Sequence, residues 1–76
     1  MKVYVLELTH VADYTHYEQK GIVAIFDSYE KAFLYMQEMC NKEGITITKD
    51  EDDFYDCDKP FYLDTSYFTI ESYIVN

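Results

Sequence analysis

The chain has 76 residues, of which 49% are hydrophobic and 18% aromatic, and its fifteen Asp and Glu residues face six lysines and no arginine, for a formal net charge of −9. This length allows a single domain, residues 1–76, and the aromatic content is far above that of disordered chains. The negative charge disfavours direct binding to nucleic acids or to anionic membrane surfaces, because both are polyanions.

The cysteines and the first residues indicate a cytoplasmic protein. Cys40 and Cys57 are the only cysteines, and two thiols do not form the framework of a disulfide-rich secreted domain. The apolar run over residues 3–8 is too short for a secretion signal, and Glu7 interrupts it. No stretch approaches the roughly 20 apolar residues that a membrane span needs.

The first half of the chain predicts two strands. Residues 3–8 are rich in β-formers and predict a strand with apolar residues on both faces. Residues 9–20 are polar and predict either a long hairpin connection or extended strand ends. Residues 21–26 predict a second strand, which is apolar on both sides.

A helix is predicted over residues 28–42. Asp27 or Ser28 can cap its first N–H groups, and Glu30 has the spacing of a capping box. Apolar residues then recur at helical spacing and form one stripe: Tyr29, Ala32, Phe33, Met36, Met39 and Cys40. Gly44 is the expected C-terminal stop, because glycine readily adopts the left-handed conformation there.

The second half predicts two more strands around an acidic loop. Residues 45–48 and 67–75 alternate between apolar and polar positions, which is typical of strands. The acidic segment, residues 50–64, separates them. The predicted fold is therefore α+β, with one antiparallel sheet of about four strands in β-β-α-β-β order packed on a single helix.

The predicted sheet has more apolar surface than one helix can cover. Monomers seldom expose an apolar face of that size. Either residues 54–63 fold across the second face, or two subunits bury it against each other. We favour a homodimer with two-fold symmetry. Its predicted interface comprises Tyr4, Leu6, Tyr67 and Tyr73.

The acidic segment is the main candidate for a binding site. Its seven carboxylates are countered only by Lys59, and they are interleaved with aromatic residues that would hold the segment in place. A compact domain that keeps so much like charge can use it against a basic partner. The predicted partner-binding residues are Asp50, Glu51, Asp52, Asp53, Tyr55, Asp56, Asp58, Tyr62 and Asp64. A solvated loop without a partner is the alternative.

Metal binding has weak support. Counted from Asp50, an EF-hand would need glycine at the sixth position and glutamate at the twelfth, where the chain has Tyr55 and Phe61. A looser oxygen-ligand site stays open. His10 and His16 lack the spacing of zinc motifs. We therefore predict no metal and no cofactor.

The residues give no indication of an enzyme. Cys40 lies on the apolar stripe of the helix, and the acids around Cys57 would raise the pKa of its thiol, so neither is a good nucleophile. The chain has no Gly-rich phosphate loop, no G-x-S-x-G motif and no arginine to clamp an anion. We predict no catalytic residues.

The small size, the acidic and Tyr-rich composition, the absence of arginine and the cluster from Asp50 to Asp64 resemble phage-encoded DNA mimics. These include anti-restriction proteins, uracil-DNA glycosylase inhibitors, some anti-CRISPR proteins and host-takeover proteins that block the histone-like nucleoid protein HU. The resemblance implies a phage protein that acts in the host bacterial cytoplasm and occupies the DNA-binding surface of a basic host protein, with HU as first choice. A nuclease, a CRISPR effector or a DNA glycosylase is an alternative target. The rival interpretation is a small interaction module that docks through an aromatic sheet face.

Overall fold

The computed structural model describes residues 1–51 and 53–76. Its elements, in chain order, are β1 (Lys2–Ala12), β2 (Tyr17–Phe26), α1 (Tyr29–Glu43), β3 (Ile47–Lys49), β4 (Phe54–Cys57) and β5 (Thr65–Ile74). The strands form one antiparallel sheet in the order β2-β1-β5-β4-β3, and α1 packs on one of its faces. The prediction of an α+β fold with one antiparallel sheet and one helix is confirmed.

The sheet has five strands instead of about four, because part of the acidic segment is itself a strand. β4 pairs with β3 on one side and with β5 on the other. Successive side chains of a strand point to opposite faces, so Tyr55 and Cys57 point toward the helix and Phe54 and Asp56 point away from it. This alternation is visible in the sequence, but a loop was predicted because the segment carries so many charged residues.

The β1–β2 hairpin is longer than predicted. Nine residue pairs join β1 to β2, and the ladder continues to the pairing of Ala12 with Tyr17. The polar residues 9–20 therefore form strand ends around a tight turn at residues 13–16, which was one of the two predicted alternatives. His16 has a φ of 59° in this turn.

The helix has a cap at each end as predicted, with Ser28 as the N-cap, but the capping box with Glu30 is not formed because the third residue after Ser28 is Lys31. The Ser28 side chain accepts a hydrogen bond from the backbone N–H of Lys31 at 3.2 Å. Gly44 has a φ of 67°, and Ile45 donates a 2.8 Å bond back to the carbonyl of Cys40, which closes the C-terminal turn. Within the described part of the chain, no helix is long and apolar enough to cross a membrane.

The core lies between α1 and one face of the sheet. Its buried residues are Leu6, Ala32, Met36, Cys40, Ile45, Tyr55, Phe68 and Ile70. Leu6 pairs with Ile70 across β1 and β5, which places these residues on the helix side. Phe61 also packs on this side, with its ring centroid 5.6 Å from that of Phe68.

The other face of the sheet, called here the open face, has no helix over it. By strand register it comprises Val3, Val5, Glu7, Thr9 and Val11 of β1, Glu18, Lys20, Ile22 and Ile25 of β2, Phe54 and Asp56 of β4, and Thr65, Tyr67, Thr69, Glu71 and Tyr73 of β5. Residues 54–63 do not fold across this face as one alternative proposed, because β4 joins the sheet and Phe61 lies on the helix side.

Candidate functional site

The acidic segment is divided between two ends of the sheet. The turn between β3 and β4 carries Asp50, Glu51 and Asp53, and Asp56 follows on β4. We call these four carboxylates the acidic hairpin. The other acids of the segment, Asp58 and Asp64, lie beyond β4 and at the start of β5. Asp52 was predicted to bind the partner as well, and it lies outside the described residues.

Backbone hydrogen bonds hold the acidic hairpin in place. The Asp50 N–H donates to the Phe54 carbonyl at 3.0 Å, and the Phe54 N–H donates to the Glu51 carbonyl at 2.9 Å. The Ile70 N–H of β5 donates to the Asp53 carbonyl at 3.2 Å. Asp50 and Glu51 are thus bonded to Phe54, and Asp53 is bonded to a central strand, so three described acids of the hairpin are joined to the sheet through their backbone.

All four carboxylates of the acidic hairpin belong to exposed residues. In residues 1–51 and 53–76, the ion pairs within 4 Å lie elsewhere: Lys20–Glu18, Lys31–Asp27 and Lys42–Glu38. No lysine of the described chain therefore neutralises the hairpin at salt-bridge distance, and its charge is directed to solvent.

Asp58 and Asp64 were predicted to bind the partner, but each holds a loop of its own chain. The Asp58 carboxylate accepts a 2.8 Å hydrogen bond from the Thr46 N–H, and the Asp64 carboxylate accepts a 3.0 Å bond from the Asp13 N–H. The Asp13 carboxylate in turn accepts from the Thr65 hydroxyl at 3.0 Å. These contacts give both acids a structural role, at the opposite end of β4 and β5 from the hairpin turn.

Tyr55 was predicted either to lie at the binding surface or to anchor the acidic segment; the first is corrected, because the side chain is not available to a partner. It is 4% exposed and belongs to the core, because the alternation of β4 points it toward α1. Its hydroxyl is hydrogen-bonded to that of Tyr29. Burial raises the pKa of Tyr29, and the Tyr55 hydroxyl and the charge of Asp53 add to the effect. Tyr55 thus ties α1 to the strand that carries the acids.

Tyr62 is exposed, as a binding residue must be, but it is separated from the acidic hairpin. Its ring meets the edge of His10 at a centroid distance of 5.6 Å, and 59% of its surface is exposed. His10 lies near the C-terminal end of β1, where it pairs with Ser66 of β5. Contact between Tyr62 and a partner stays a prediction.

Among the described residues, a hydroxyl–imidazole pair that would favour nucleophilic catalysis is formed by His10 and Ser66. His10 Nδ1 lies 3.0 Å from Ser66 Oγ, but Ser66 is 1% exposed. The Phe61 N–H donates to the same oxygen at 3.0 Å. The hydroxyl is therefore occupied by backbone and buried from any substrate, so the pair holds the loop before β5.

The two cysteines lie together, which the sequence analysis did not anticipate. Cys40 is at the end of α1 and Cys57 at the end of β4, and each affects the pKa of the other. Burial raises the pKa of Cys40, and it raises that of Cys57 to about 12, with smaller contributions from Cys40 and the carboxylates of Asp56 and Asp58. The predicted rise for Cys57 is found, but burial is its main cause.

The four residues of the predicted dimer interface do not share a surface. Leu6 is completely buried under α1, and Tyr4 packs edge-on against Tyr29 of the helix at a centroid distance of 6.1 Å. Tyr67 and Tyr73 lie on the open face. The prediction is wrong for Leu6 and Tyr4, because the helix covers the even-numbered side of β1.

The open face is acidic and aromatic, and its binding potential was missed from the sequence. Its four acids, Glu7, Glu18, Asp56 and Glu71, face only Lys20 in the described chain. The rings of Phe54 and Tyr67 stack at 5.1 Å with an interplanar angle of 29°. These residues are far apart in the sequence. Only the pairing of β4 with β5 places the open face next to the acidic hairpin.

The described chain offers little space for a small molecule or a metal. Hollows of about 250 and 210 Å³ lie on the β1–β2 hairpin and beside β4, both below the roughly 300–1,000 Å³ of typical ligand pockets. In residues 1–51 and 53–76, no three His, Cys, Asp or Glu side chains converge as metal ligands would.

Comparisons with known proteins give no relative. No protein-family model, no curated protein and no solved structure matches this chain.

Proposed function

We propose that this protein is a DNA-mimic inhibitor that binds the DNA-binding surface of a basic host protein, with the nucleoid protein HU as first choice, and excludes DNA from it. The acidic hairpin takes the place of DNA phosphates. The protein acts in the cytoplasm of the bacterial host as a binding protein and not as an enzyme. A nuclease, a CRISPR effector or a DNA glycosylase is the alternative target.

The observation that carries the proposal is the charge of the acidic hairpin, whose described residues are bonded to the sheet through their backbone. The turn is bonded to β5 through Asp53, and the ion pairs of the described chain lie elsewhere. A preorganised cluster loses little conformational freedom when it binds, so more of its electrostatic attraction appears as affinity. A disordered acidic tail would lose that advantage.

Charge alone suits a target that reads the DNA backbone. Contacts with phosphates supply essentially all of the non-specific affinity of DNA-binding proteins, and they carry no sequence information. A nucleoid protein that binds DNA by backbone and shape would therefore accept a surface of carboxylates. This favours HU over proteins that depend on base-edge contacts.

The test is displacement of a fluorescent DNA duplex from purified HU, followed by anisotropy. We expect the wild-type protein to release the duplex, and its affinity for HU to fall as salt rises, because the contacts are ionic. A double variant, Asp50→Asn with Glu51→Gln, should bind at least about tenfold more weakly, since each charge-assisted contact contributes about 1 kcal/mol or more.

The matched control removes two charges from the opposite side of the molecule. Glu38→Gln with Glu43→Gln changes two exposed residues of α1 and gives the same net charge as the hairpin variant. It should displace DNA nearly as well as wild type. Equal losses in both variants would mean that only net charge matters, and failure of the wild type to displace DNA would reject mimicry of this target.

The open face supports a second proposal, an interaction module that binds hydrophobically or pairs with a second copy. Ile22 and Ile25 are 63% and 59% exposed on this face. A homodimer built on it would bring the four acids of each copy to one interface with only Lys20 as a described counter-charge, and this like charge opposes association. The homodimer is therefore proposed as a weak state that a basic partner would displace.

A further inference from the structure

A hollow on the open face adjoins the acidic hairpin. It is bounded by Asp53, Phe54, Thr69 and Glu71 and has a volume of about 210 Å³. Phe54 and Thr69 are paired residues of β4 and β5, so the hollow lies where these two strands meet, and Thr69 is 7% exposed there. The hollow is below the roughly 300 Å³ at which small-molecule pockets begin, and its scale is that of a single side chain.

A flat ring and a carboxylate flank this hollow. The Phe54 ring is 42% exposed and rests on Tyr67, which holds it by stacking at 5.1 Å. The Tyr73 hydroxyl donates a 2.7 Å hydrogen bond to one oxygen of the Glu71 carboxylate, which restrains that side chain. Both groups are thus positioned by neighbours on the same face.

From this geometry we infer that the hollow receives an arginine side chain of the basic partner. A guanidinium is planar, stacks on aromatic rings and forms paired hydrogen bonds with a carboxylate. The Phe54 ring supplies the stacking surface and Glu71 the carboxylate. The ammonium group of a lysine could pair with the carboxylate, but it is not planar and cannot stack on the ring as a guanidinium does. The inference rests on the proposed function for the identity of the partner.

A second copy of this chain cannot fill the hollow in this way. The sequence contains no arginine, so the guanidinium must come from another protein. The open face also carries four acids against Lys20, and Lys20 already pairs with Glu18 at 3.3 Å. Charge complementarity therefore selects a basic partner over a second copy.

The test is a titration of the isotope-labelled protein with N-acetyl-arginine amide, followed by amide chemical shifts, with N-acetyl-lysine amide in parallel. We expect saturable shifts centred on Phe54, Thr69 and Glu71, with tighter binding of arginine than of lysine. Glu71→Gln and, independently, Phe54→Leu should each weaken arginine binding several-fold, and Glu43→Gln on α1 should leave it unchanged. Shifts spread equally over all exposed acids, or equal affinities for the two ligands, would overturn the inference.

Displacement of DNA from HU separates this inference from the proposed function. If wild type displaces DNA, the Asp50/Glu51 variant loses this ability and Glu71→Gln keeps it in full, then the hollow is not an anchor and the proposed function stands. If arginine binds at the hollow but the wild type releases no DNA, the arginine site stands and its assignment to HU fails. Sedimentation showing a tight dimer that Glu71→Gln strengthens would assign the open face to a second copy and overturn the inference.

Discussion

The two faces of the sheet are built from the same strands and differ in almost every physical property. On the helix side, Leu6, Phe68 and Ile70 are at most 1% exposed. One residue along the chain, Glu7, Tyr67 and Glu71 point to the open face. A strand turns successive side chains to opposite sides, so the helix takes one set into the core and leaves the other without a helix over it.

This difference separates stability from recognition. Burial of apolar surface is the main favourable term in folding, and here it is concentrated between α1 and the sheet. Residues of the open face contribute less to the fold, so the chain can place acids and exposed rings there at a small cost in stability. Substitutions on the helix side should therefore lower stability, and substitutions on the open face should mainly lower binding.

The largest expected effect is on stability. Phe68→Ala, in the core, should lower the free energy of unfolding by about 3–5 kcal/mol, because it removes a completely buried ring and leaves a cavity. Tyr73→Ala, on the same strand but 51% exposed on the open face, should cost about 1 kcal/mol or less. Urea denaturation of both variants measures the contrast, and similar losses would show that the open face is also buried, as in a stable dimer.

The next largest expected effect is that of alkaline pH, which should lower the stability of the packing between α1 and the sheet. The pKa of Tyr29 is raised by burial and that of Cys57 is raised to about 12, so folding favours the protonated form of both groups. Their contribution is fully present below the unfolded values of about 8.5 for Cys and 10 for Tyr, and it is lost as pH rises through the folded values.

The measurement is urea denaturation between pH 8 and pH 12. We expect the free energy of unfolding to fall with a slope of at most about 1.4 kcal/mol per pH unit for each group that titrates. Tyr29→Phe and Cys57→Ala should each flatten this slope. A stability that rises with pH would contradict the burial of these two side chains.

The smallest expected effect is that of salt on a dimer, and it has the opposite sign to the effect of salt on binding to a basic protein. Raising the salt concentration screens Glu7 and Glu71, so any dimer seen by sedimentation at micromolar concentration should become more populated. Binding to a basic protein should weaken over the same range. A dimer that dissociates as salt rises would mean that attractive ion pairs hold it.

Elements whose signals are local could be predicted from the sequence. The caps at Ser28 and Gly44 and the apolar stripe of the helix depend only on neighbouring residues, and they are found as predicted. The faces of the strands depend on which side the helix covers, a long-range choice that the spacing of apolar residues cannot make. Leu6 was assigned to the wrong side for this reason. Both faces of β1 carry apolar residues, so the alternation of side chains could not show which face the helix covers.

The candidate site was anticipated in part for the same reason. The acids from Asp50 to Asp56 form a visible cluster in the sequence, and Asp50, Glu51, Asp53 and Asp56 are exposed in the structure, whereas Asp52 lies outside the described residues. The internal bonds of Asp58 and Asp64 and the burial of Tyr55 come from pairing with distant segments. Glu71 joins the acidic hairpin only through the register of β5 against β4.

If a basic protein binds the acidic hairpin and the open face, as we propose, it leaves the outer side of α1 free. The sharpest test adds unlabelled HU to the isotope-labelled protein and maps the amide signals that shift or broaden. We expect changes at Asp50, Glu51, Phe54, Asp56 and Glu71, and unchanged signals at the exposed positions of α1. Changes centred on α1, or no change at a concentration of HU that saturates DNA, would contradict this proposal.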